Sequence, residues 1–191
     1  MRPDPSPSSA TSGARSLRWV EQAYRLHCAY IYRALGRLGV PESRVEDALQ
    51  DVFIVLHRRR ADFEGRSSLK TWLYGIALRV ARRYRERARR QREREAPLPE
   101  RAQLVGGGPS GERAAERRQA LERLDRILGA MEDTRREVFV LYELEGMQAA
   151  EISALLGVNR NTVYSRLRLA RRDFARAVSR LGAQGGELRH G

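Results

Sequence analysis

The chain has 191 residues, room for one ordinary domain or two small ones, which excludes a large multidomain enzyme. Its 37 Lys+Arg outweigh 24 Asp+Glu and leave a net charge of +13, so polyanions are the first partners to consider. A lone cysteine, Cys28, rules out an internal disulfide and cysteine-cluster metal sites and points to a reducing compartment.

The Pro- and Ser-rich start, residues 1–15, has too few apolar side chains to offset ordering entropy and is expected to be a disordered tail. It lacks the apolar core of a secretory signal, and no stretch of the chain approaches the roughly 18 apolar residues of a membrane span. A cytoplasmic protein without membrane insertion is expected. From Leu17 the apolar residues Val20, Tyr24, Cys28, Ile31, Leu35 and Leu38 fall three or four apart, until Gly39-Val40-Pro41 stops the helix. A second helix starts near Glu42, with Val45, Leu49, Val52, Phe53 and Leu56 as its inner stripe and Glu46, Asp47, Gln50 and Asp51 on another face. Phe63 to Ser68 reads as a short loop. A third stripe follows at Leu69, Trp72, Leu73, Ile76, Ala77, Val80 and Tyr84. Three such helices can enclose one core.

Between Arg79 and Arg94 nine arginines and two glutamates give a local charge of +7. Residues 93–115, with Pro97, Pro99 and the Gly-rich run at 105–111, read as a flexible linker. Helical periodicity resumes near Glu116 with Ala120, Leu121, Leu124, Ile127, Leu128 and Met131, and continues through Val138, Phe139, Leu141, Tyr142 and Leu144 to Gly146. Strand signals are absent from the sequence. The expected fold is therefore all-α, with two small helical bundles at 16–92 and 116–181, a linker at 93–115 and a flexible tail at 182–191.

The most informative stretch runs from Glu151 to Arg171. A short helix ends at Leu155-Leu156, Gly157 can supply the positive φ of a tight turn, Val158 can plug the angle between helices, and a new helix follows. This is helix-turn-helix spacing. In the second helix Val163, Leu167, Ala170 and Phe174 face inward, while Asn161, Tyr164, Ser165 and Arg168 face outward and can reach base edges. Arg160, Arg166, Arg171 and Arg172 can neutralise phosphates. The arginine run at 79–94, flanked by Trp72, Tyr74 and Tyr84, can contact nucleic acid or stack unpaired bases, although Trp72 lies on the apolar stripe and suits the core. The acidic group Glu46/Asp47/Asp51 with Gln50 suits a solvated face or a docking surface for a basic partner better than metal binding, because no histidine or further carboxylate cluster has ligand-like spacing. The Gly-rich run at 105–111 lacks the Gly-Lys-Ser/Thr ending of a phosphate loop. His27, His57 and His190 are far apart in sequence, so no catalytic constellation and no cofactor are expected.

Two ordered signatures resemble one family. Tyr30-Ile-Tyr-Arg-Ala-Leu35, Val45-Glu-Asp-Ala-Leu-Gln-Asp-Val-Phe53 and Phe63-Glu-Gly-Arg-Ser-Ser-Leu-Lys-Thr-Trp-Leu-Tyr-Gly-Ile-Ala77 are similar to region 2 of the extracytoplasmic-function sigma factors of bacterial RNA polymerase. Arg136-Glu-Val-Phe-Val-Leu-Tyr-Glu-Leu-Glu-Gly146 and Glu151 to Arg171 resemble their region 4. The resemblance covers roughly residues 17–180 in family order. It implies a non-catalytic subunit that binds core RNA polymerase and promoter DNA, recognises −35 and −10 elements and opens the duplex, with an anti-sigma protein as a further partner.

By the same resemblance, Glu46, Asp47, Gln50, Asp51 and Phe53 dock on polymerase. Phe63, Glu64, Gly65, Arg66, Ser67 and Ser68 capture an unpaired −10 base, with Arg79, Arg82 and Arg83 beside that strand. Arg160, Asn161, Thr162, Tyr164, Ser165, Arg166, Arg168 and Arg171 meet the −35 element. Four departures stand out: Arg79 where relatives commonly carry Asn, Ser153 in place of a small alanine, Met147-Gln-Ala-Ala150 before Glu151, and Tyr164 on the reading face. Read from the residues alone, a stand-alone helix-turn-helix regulator with an N-terminal sensing or dimerising bundle is the competing function.

Overall fold

The computed structural model describes residues 8–94 and 112–187, with side chains from 18 to 94 and from 115 to 181. Its elements are α1 (Ser8–Arg37), α2 (Val45–Arg59), α3 (Leu69–Arg94), α4 (Glu112–Gly129), α5 (Asp133–Phe139), α6 (Ala149–Leu156) and α7 (Arg160–Glu187). Single 3-10 turns stand before and after α2, at Glu42–Arg44 and Arg60–Asp62, and a π turn at Val140–Leu144 prolongs α5. No strand occurs among the described residues. The all-α expectation holds, and the chain divides into two compact units that meet in sequence at Ala88 and Arg89.

Helix boundaries depart from the sequence expectation at three places. Residues 1–7 of the expected tail lie outside the described residues, but α1 begins at Ser8, so 8–15 is helix. Pro7 is the last proline before Pro41, and propagating an existing helix backwards costs far less than nucleating one. Of the expected linker, 95–111 lies outside the described residues, 93–94 completes α3 and 112–115 opens α4. The last helix runs past residue 181 to Glu187, and 188–191 lies outside the described residues.

The first unit packs Ile31, Ala34 and Leu35 of α1, Val45, Ala48, Val52 and Leu56 of α2, and Leu73, Ile76, Ala77, Val80 and Ala81 of α3 into one core. The buried line on α1 passes through Ala23 and Ala34, whereas Tyr24 is 47% exposed and Val20 and Cys28 are half-buried. Small alanines at those turns let the helices approach, which rotates the stripe by one residue from the expected line through Tyr24. Helix α3 is buried on every face from Leu73 to Leu78, as suits a central helix. That burial includes Tyr74, 1% exposed, which removes it as a stacking platform for bases.

In the second unit α5 and α7 pack along one another. Val138, Phe139, Val140 and Leu141 meet Ile152 of α6 and Val163, Leu167 and Ala170 of α7 in the core, and the rings of Phe139 and Phe174 stack with centroids 5.0 Å apart. Helix α4 buries only its last turn, Ile127 and Leu128, followed by Met131; Ala120 and Leu121, expected inside, are exposed. The preceding turns carry one charged residue after another, which solvates that length of the helix.

A buried arginine joins α4 to α5. Arg136, 6% exposed, donates from Nε to the carbonyl of Leu128 at 2.6 Å and from one Nη to those of Gly129 at 3.0 Å and Met131 at 2.9 Å. These include carbonyls left over where α4 ends, so the guanidinium acts as the C-terminal cap. Replacing it with an apolar isostere strands buried acceptors. Arg136→Met is expected to destabilise the second unit by about 3 kcal/mol, read as a lower urea midpoint by circular dichroism with an unchanged slope.

Candidate nucleic-acid and partner interfaces

The second unit contains a complete helix-turn-helix. At its entry the Gln148 backbone N–H donates to Glu151 Oε2 at 2.9 Å, so an acid at the third helical position caps α6. At its exit Gly157 adopts φ 67° and ψ 34°, a left-handed conformation in which a side chain at this position would be strained. The N–H groups of Gly157 and Val158 both donate to the Ser153 carbonyl, at 3.0 and 3.2 Å. The Ser153 hydroxyl donates across the turn to the Val158 carbonyl at 2.6 Å. The departure at Ser153 is thus absorbed by a bond that ties the turn. Asn159 then caps α7, its Oδ1 accepting from the Thr162 N–H at 2.7 Å and hydroxyl at 2.9 Å.

With α7 anchored by Val163, Leu167 and Ala170, its opposite face presents Arg160, Asn161, Tyr164, Ser165 and Arg168, all exposed, with Tyr164 at 54%. Arg166 and Thr162 are half-buried. Two expected contacts carry prior engagements. The Thr162 hydroxyl serves the cap, and the Arg171 Nε donates to Glu143 Oε1 at 2.7 Å with its guanidinium 5.6 Å from the Tyr142 ring centroid. Glu143 lies in the π turn, which the sequence does not announce because its residues continue the helical pattern of α5.

The base of α7 is braced by Asp173, which accepts from Arg135 at 2.8 Å and Arg176 at 2.6 Å. The bond from Arg135 chiefly, opposed by burial and reinforced by Arg176, holds the Asp173 carboxyl below its usual value. At the start of α5 Glu132 is also held low: burial pushes it up, but bonds from Thr134 and Arg135 prevail. A carboxyl lowered in the folded state stabilises above its unfolded pKa, and that stabilisation is lost as pH falls through the folded value. Asp173→Asn is therefore expected to lower the thermal midpoint at neutral pH, and the gap to the parent should close on acidification through the carboxylate range, measured by melting curves over a pH series.

In the first unit, α1 and α2 leave an open groove of about 890 Å³ lined by Tyr24, Tyr32, Leu49, Phe53, Ile54 and, at its edge, Glu46 and Gln50. Tyr24, Tyr32 and Ile54 are 47%, 41% and 38% exposed, and Tyr24 meets the edge of Phe53 with ring centroids 4.8 Å apart. Phe53 itself is 8% exposed and forms floor rather than a protruding contact. The residues expected to act together lie in two rows. Glu46 and the amide of Gln50 line the groove, whereas Asp47 bonds Arg44 at 3.2 Å and Asp51 bonds Arg83 and Tyr84 of α3.

The loop after α2 is fixed at both ends. The Phe63 ring lies between Trp19, at 6.1 Å between centroids, and Trp72, at 5.3 Å. At the far end the Ser68 hydroxyl accepts from the Thr71 N–H at 3.0 Å and caps α3. Between them Gly65 adopts φ 71° with nothing within 4 Å of an added Cβ, so the demand for glycine here is conformational rather than steric. Glu64, Arg66 and Ser67 are exposed, with Glu64 and Arg66 paired at 2.9 Å. Arg79 and Arg82 are exposed on α3. Trp19 was not legible as a site residue because its position falls off the apolar stripe of α1. Among the described residues no group of His, Cys, Asp and Glu is placed to hold a metal, and no helix is long and apolar enough to cross a membrane.

Comparison with known proteins accounts for both units. The Sigma-70 region 2 family matches residues 19–91 and the Sigma-70 region 4 family residues 121–174. The RNA polymerase sigma factor CnrH of Cupriavidus metallidurans is 30% identical over 168 residues, 85% of this chain and 88% of its own. NccH of Alcaligenes xylosoxydans is 31% identical over 151 residues, 78% and 81% of the two chains, and the sigma-E factor of Escherichia coli 30% over 148 residues, 74% and 78%. CnrH solved with the cytosolic domain of CnrY superposes with a TM-score of 0.62 at 25% identity over 87% of this chain and 94% of that one. The Bartonella quintana sigma factor RpoE, solved with the anti-sigma factor NepR, shares the fold with a TM-score of 0.66 at 21% identity, over 83% and 96% of the chains. With matches to both regions in order and across most of its length, the chain belongs to the extracytoplasmic-function group of sigma factors, the subunits that direct bacterial RNA polymerase to promoters.

Proposed function

We propose a division of labour among the surfaces described above. The first unit docks on core polymerase through α2, with Glu46, Asp47, Gln50 and Asp51 supplying charge and hydrogen bonds and Phe53 the apolar floor. Its Phe63–Ser68 loop takes an unpaired −10 base, flanked by Arg79 and Arg82. The second unit reads the −35 element with Asn161, Tyr164, Ser165 and Arg168, while Arg160, Arg166 and Arg171 meet phosphates and Thr162 keeps the helix end in register. The protein has no catalysis of its own and works in the cytoplasm.

The observation that carries the DNA assignment is the outward face of α7, where Arg160, Asn161, Tyr164, Ser165 and Arg168 are all exposed on a helix fixed by three fully or nearly buried residues. Such a helix end can enter a major groove with its side chains already aimed. The acids of α2 support the docking assignment: Glu46 lines the apolar groove beside Gln50, His57 and Arg58, and the carboxylates Glu46, Asp47 and Asp51 on a +13 chain repel DNA and suit a basic protein surface. A stand-alone regulator has no use for a region 2 unit with that groove and loop, and CnrH solved with CnrY supports a regulatory protein partner here as well.

Run-off transcription with core polymerase and promoter DNA tests the whole reading: transcripts are expected from the holoenzyme and none from core alone. Arg168→Ala is expected to relax −35 preference by about 1–3 kcal/mol, the worth of a bidentate base contact. Equal losses on matched and mismatched −35 sequences would contradict its role.

Replacing residues 64–67 with a Gly/Ala linker, keeping Ser68 as the cap, is expected to leave core and −35 binding intact while abolishing permanganate reactivity of −10 thymines. Base capture must offset an unstacking cost of a few kcal/mol, so normal reactivity in that variant would remove the loop from the mechanism.

A further inference from the structure

The Asp51 carboxylate is bound within the molecule in a way the sequence does not suggest. Its Oδ2 accepts from the Tyr84 hydroxyl at 3.0 Å and also from the Arg83 guanidinium. The two donors sit on α3, 33 and 32 residues away. The pair is at the surface, with the Asp51 side chain 34% exposed and that of Arg83 45% exposed. Both bonds fall on the same oxygen, and among the described residues Oδ1 has no hydrogen-bond partner. The Tyr84 ring is flanked by two guanidinium carbons, Arg83 at 5.7 Å and Arg87 at 5.9 Å from its centroid. Burial first, and then the carboxylate to which it donates, raises the Tyr84 pKa, so the phenol stays protonated and remains a donor at neutral pH.

We propose that Arg83 and Tyr84 are positioning residues for polymerase docking: together they fix the Asp51 carboxylate so that its second oxygen is presented to a cationic group of core polymerase. The inference rests on the reading of α2 as the docking helix, and it moves Arg83 from the −10 strand to the polymerase surface. An aspartate on a helix surface ordinarily samples several rotamers, and binding must then freeze one. Two donors from a second helix carry that cost during folding instead. The bond from the charged Arg83 is the stronger of the two, and the Tyr84 ring that carries the other donor is itself met by the guanidinium groups of Arg83 and Arg87. The guanidinium of Arg83, committed to Asp51, is correspondingly less available to phosphate.

The test uses full-length protein and core RNA polymerase from the same bacterium, with affinity read by fluorescence anisotropy of labelled chain. Tyr84→Phe, which keeps the ring, is expected to weaken core binding roughly fivefold, and Arg83→Ala roughly tenfold, since both donors bond one ionised carboxylate and Arg83 is charged as well. Thermal midpoints are measured alongside. In an Asp51→Ala background neither substitution should weaken binding further, because both act through that carboxylate. The salt slope of holoenzyme binding to −10 fork DNA should not change with Arg83→Ala, since no phosphate contact is lost. The assignment is overturned if both variants bind core like the parent, if their effects persist undiminished in the Asp51→Ala background, or if Arg83→Ala reduces the salt slope while core affinity holds. A parent chain that fails to bind core at all would refute the docking reading itself and the positioning role with it, an outcome distinct from neutral variants of a chain that binds.

Discussion

A protein with a net charge of +13 that must grip both DNA and another protein has to keep opposite charges on helices that pack against each other, and the junction of α2 with α3 is where that constraint is met. Asp47 and Asp51 stand on α2 within reach of the most basic stretch of the chain. Left to itself this arrangement would collapse into indiscriminate ion pairs across the helix interface, cancelling the fields that each surface needs. A specific bond from Arg83 and one from a neutral donor, Tyr84, tie one oxygen of Asp51 to α3. Exposed pairs of this kind contribute little to stability, about 0–1 kcal/mol, so the value of the arrangement lies in where it leaves the remaining charges: Glu46 along the groove, and Arg79 and Arg82 exposed on α3.

The second unit meets a different constraint. Four helices and a π turn between Glu112 and Glu187 have many ends, and every end leaves backbone groups without helical partners. A unit this small cannot bury such groups unsatisfied and still fold. Each junction accordingly carries a dedicated polar side chain: Arg136 for the end of α4, Glu132 for the start of α5, Glu151 for α6, Ser153 across the turn and Asn159 for α7. The same bonds set the angle between α6 and α7, so the orientation of the DNA-reading face follows from capping chemistry as much as from the apolar core.

The parts legible in the sequence are those encoded by local spacing. Gly157 followed by Val158 and a fresh apolar period announces the turn and the outward face of α7, and the same logic separates the two helical bundles. What spacing does not encode is the partner across the interface. A period of three or four identifies a buried face to within one residue, which is why Tyr24 and Leu121 lie outside and Ala23 and Ala34 inside. Tyr74 reads as a surface aromatic because periodicity assumes one buried face, whereas α3 is central and has several. Arg83 reads as one more arginine in a basic run; its distinction is an acid 32 residues earlier, a relation that only the packing of α2 on α3 creates. Trp19 is missed for the same reason, since its significance lies in the Phe63 ring it touches.

The Phe63–Ser68 loop, proposed above to take a −10 base, shows how these local and distant determinants combine. A loop that closes around an extruded base must hold its ends still, or the entropy of ordering it would be added to the cost of unstacking. Phe63 is clamped between two tryptophans and Ser68 is committed to the cap of α3, so only the four residues between them have freedom to lose. Of those, Gly65 already occupies the left-handed region in the unbound chain, and the exposed Glu64–Arg66 pair is screened by solvent and cheap to open. The anchors therefore do the expensive ordering in advance and leave a short, polar, weakly tied segment to rearrange when a base arrives. Ser68, whose hydroxyl accepts from the Thr71 N–H, holds the point from which the loop departs.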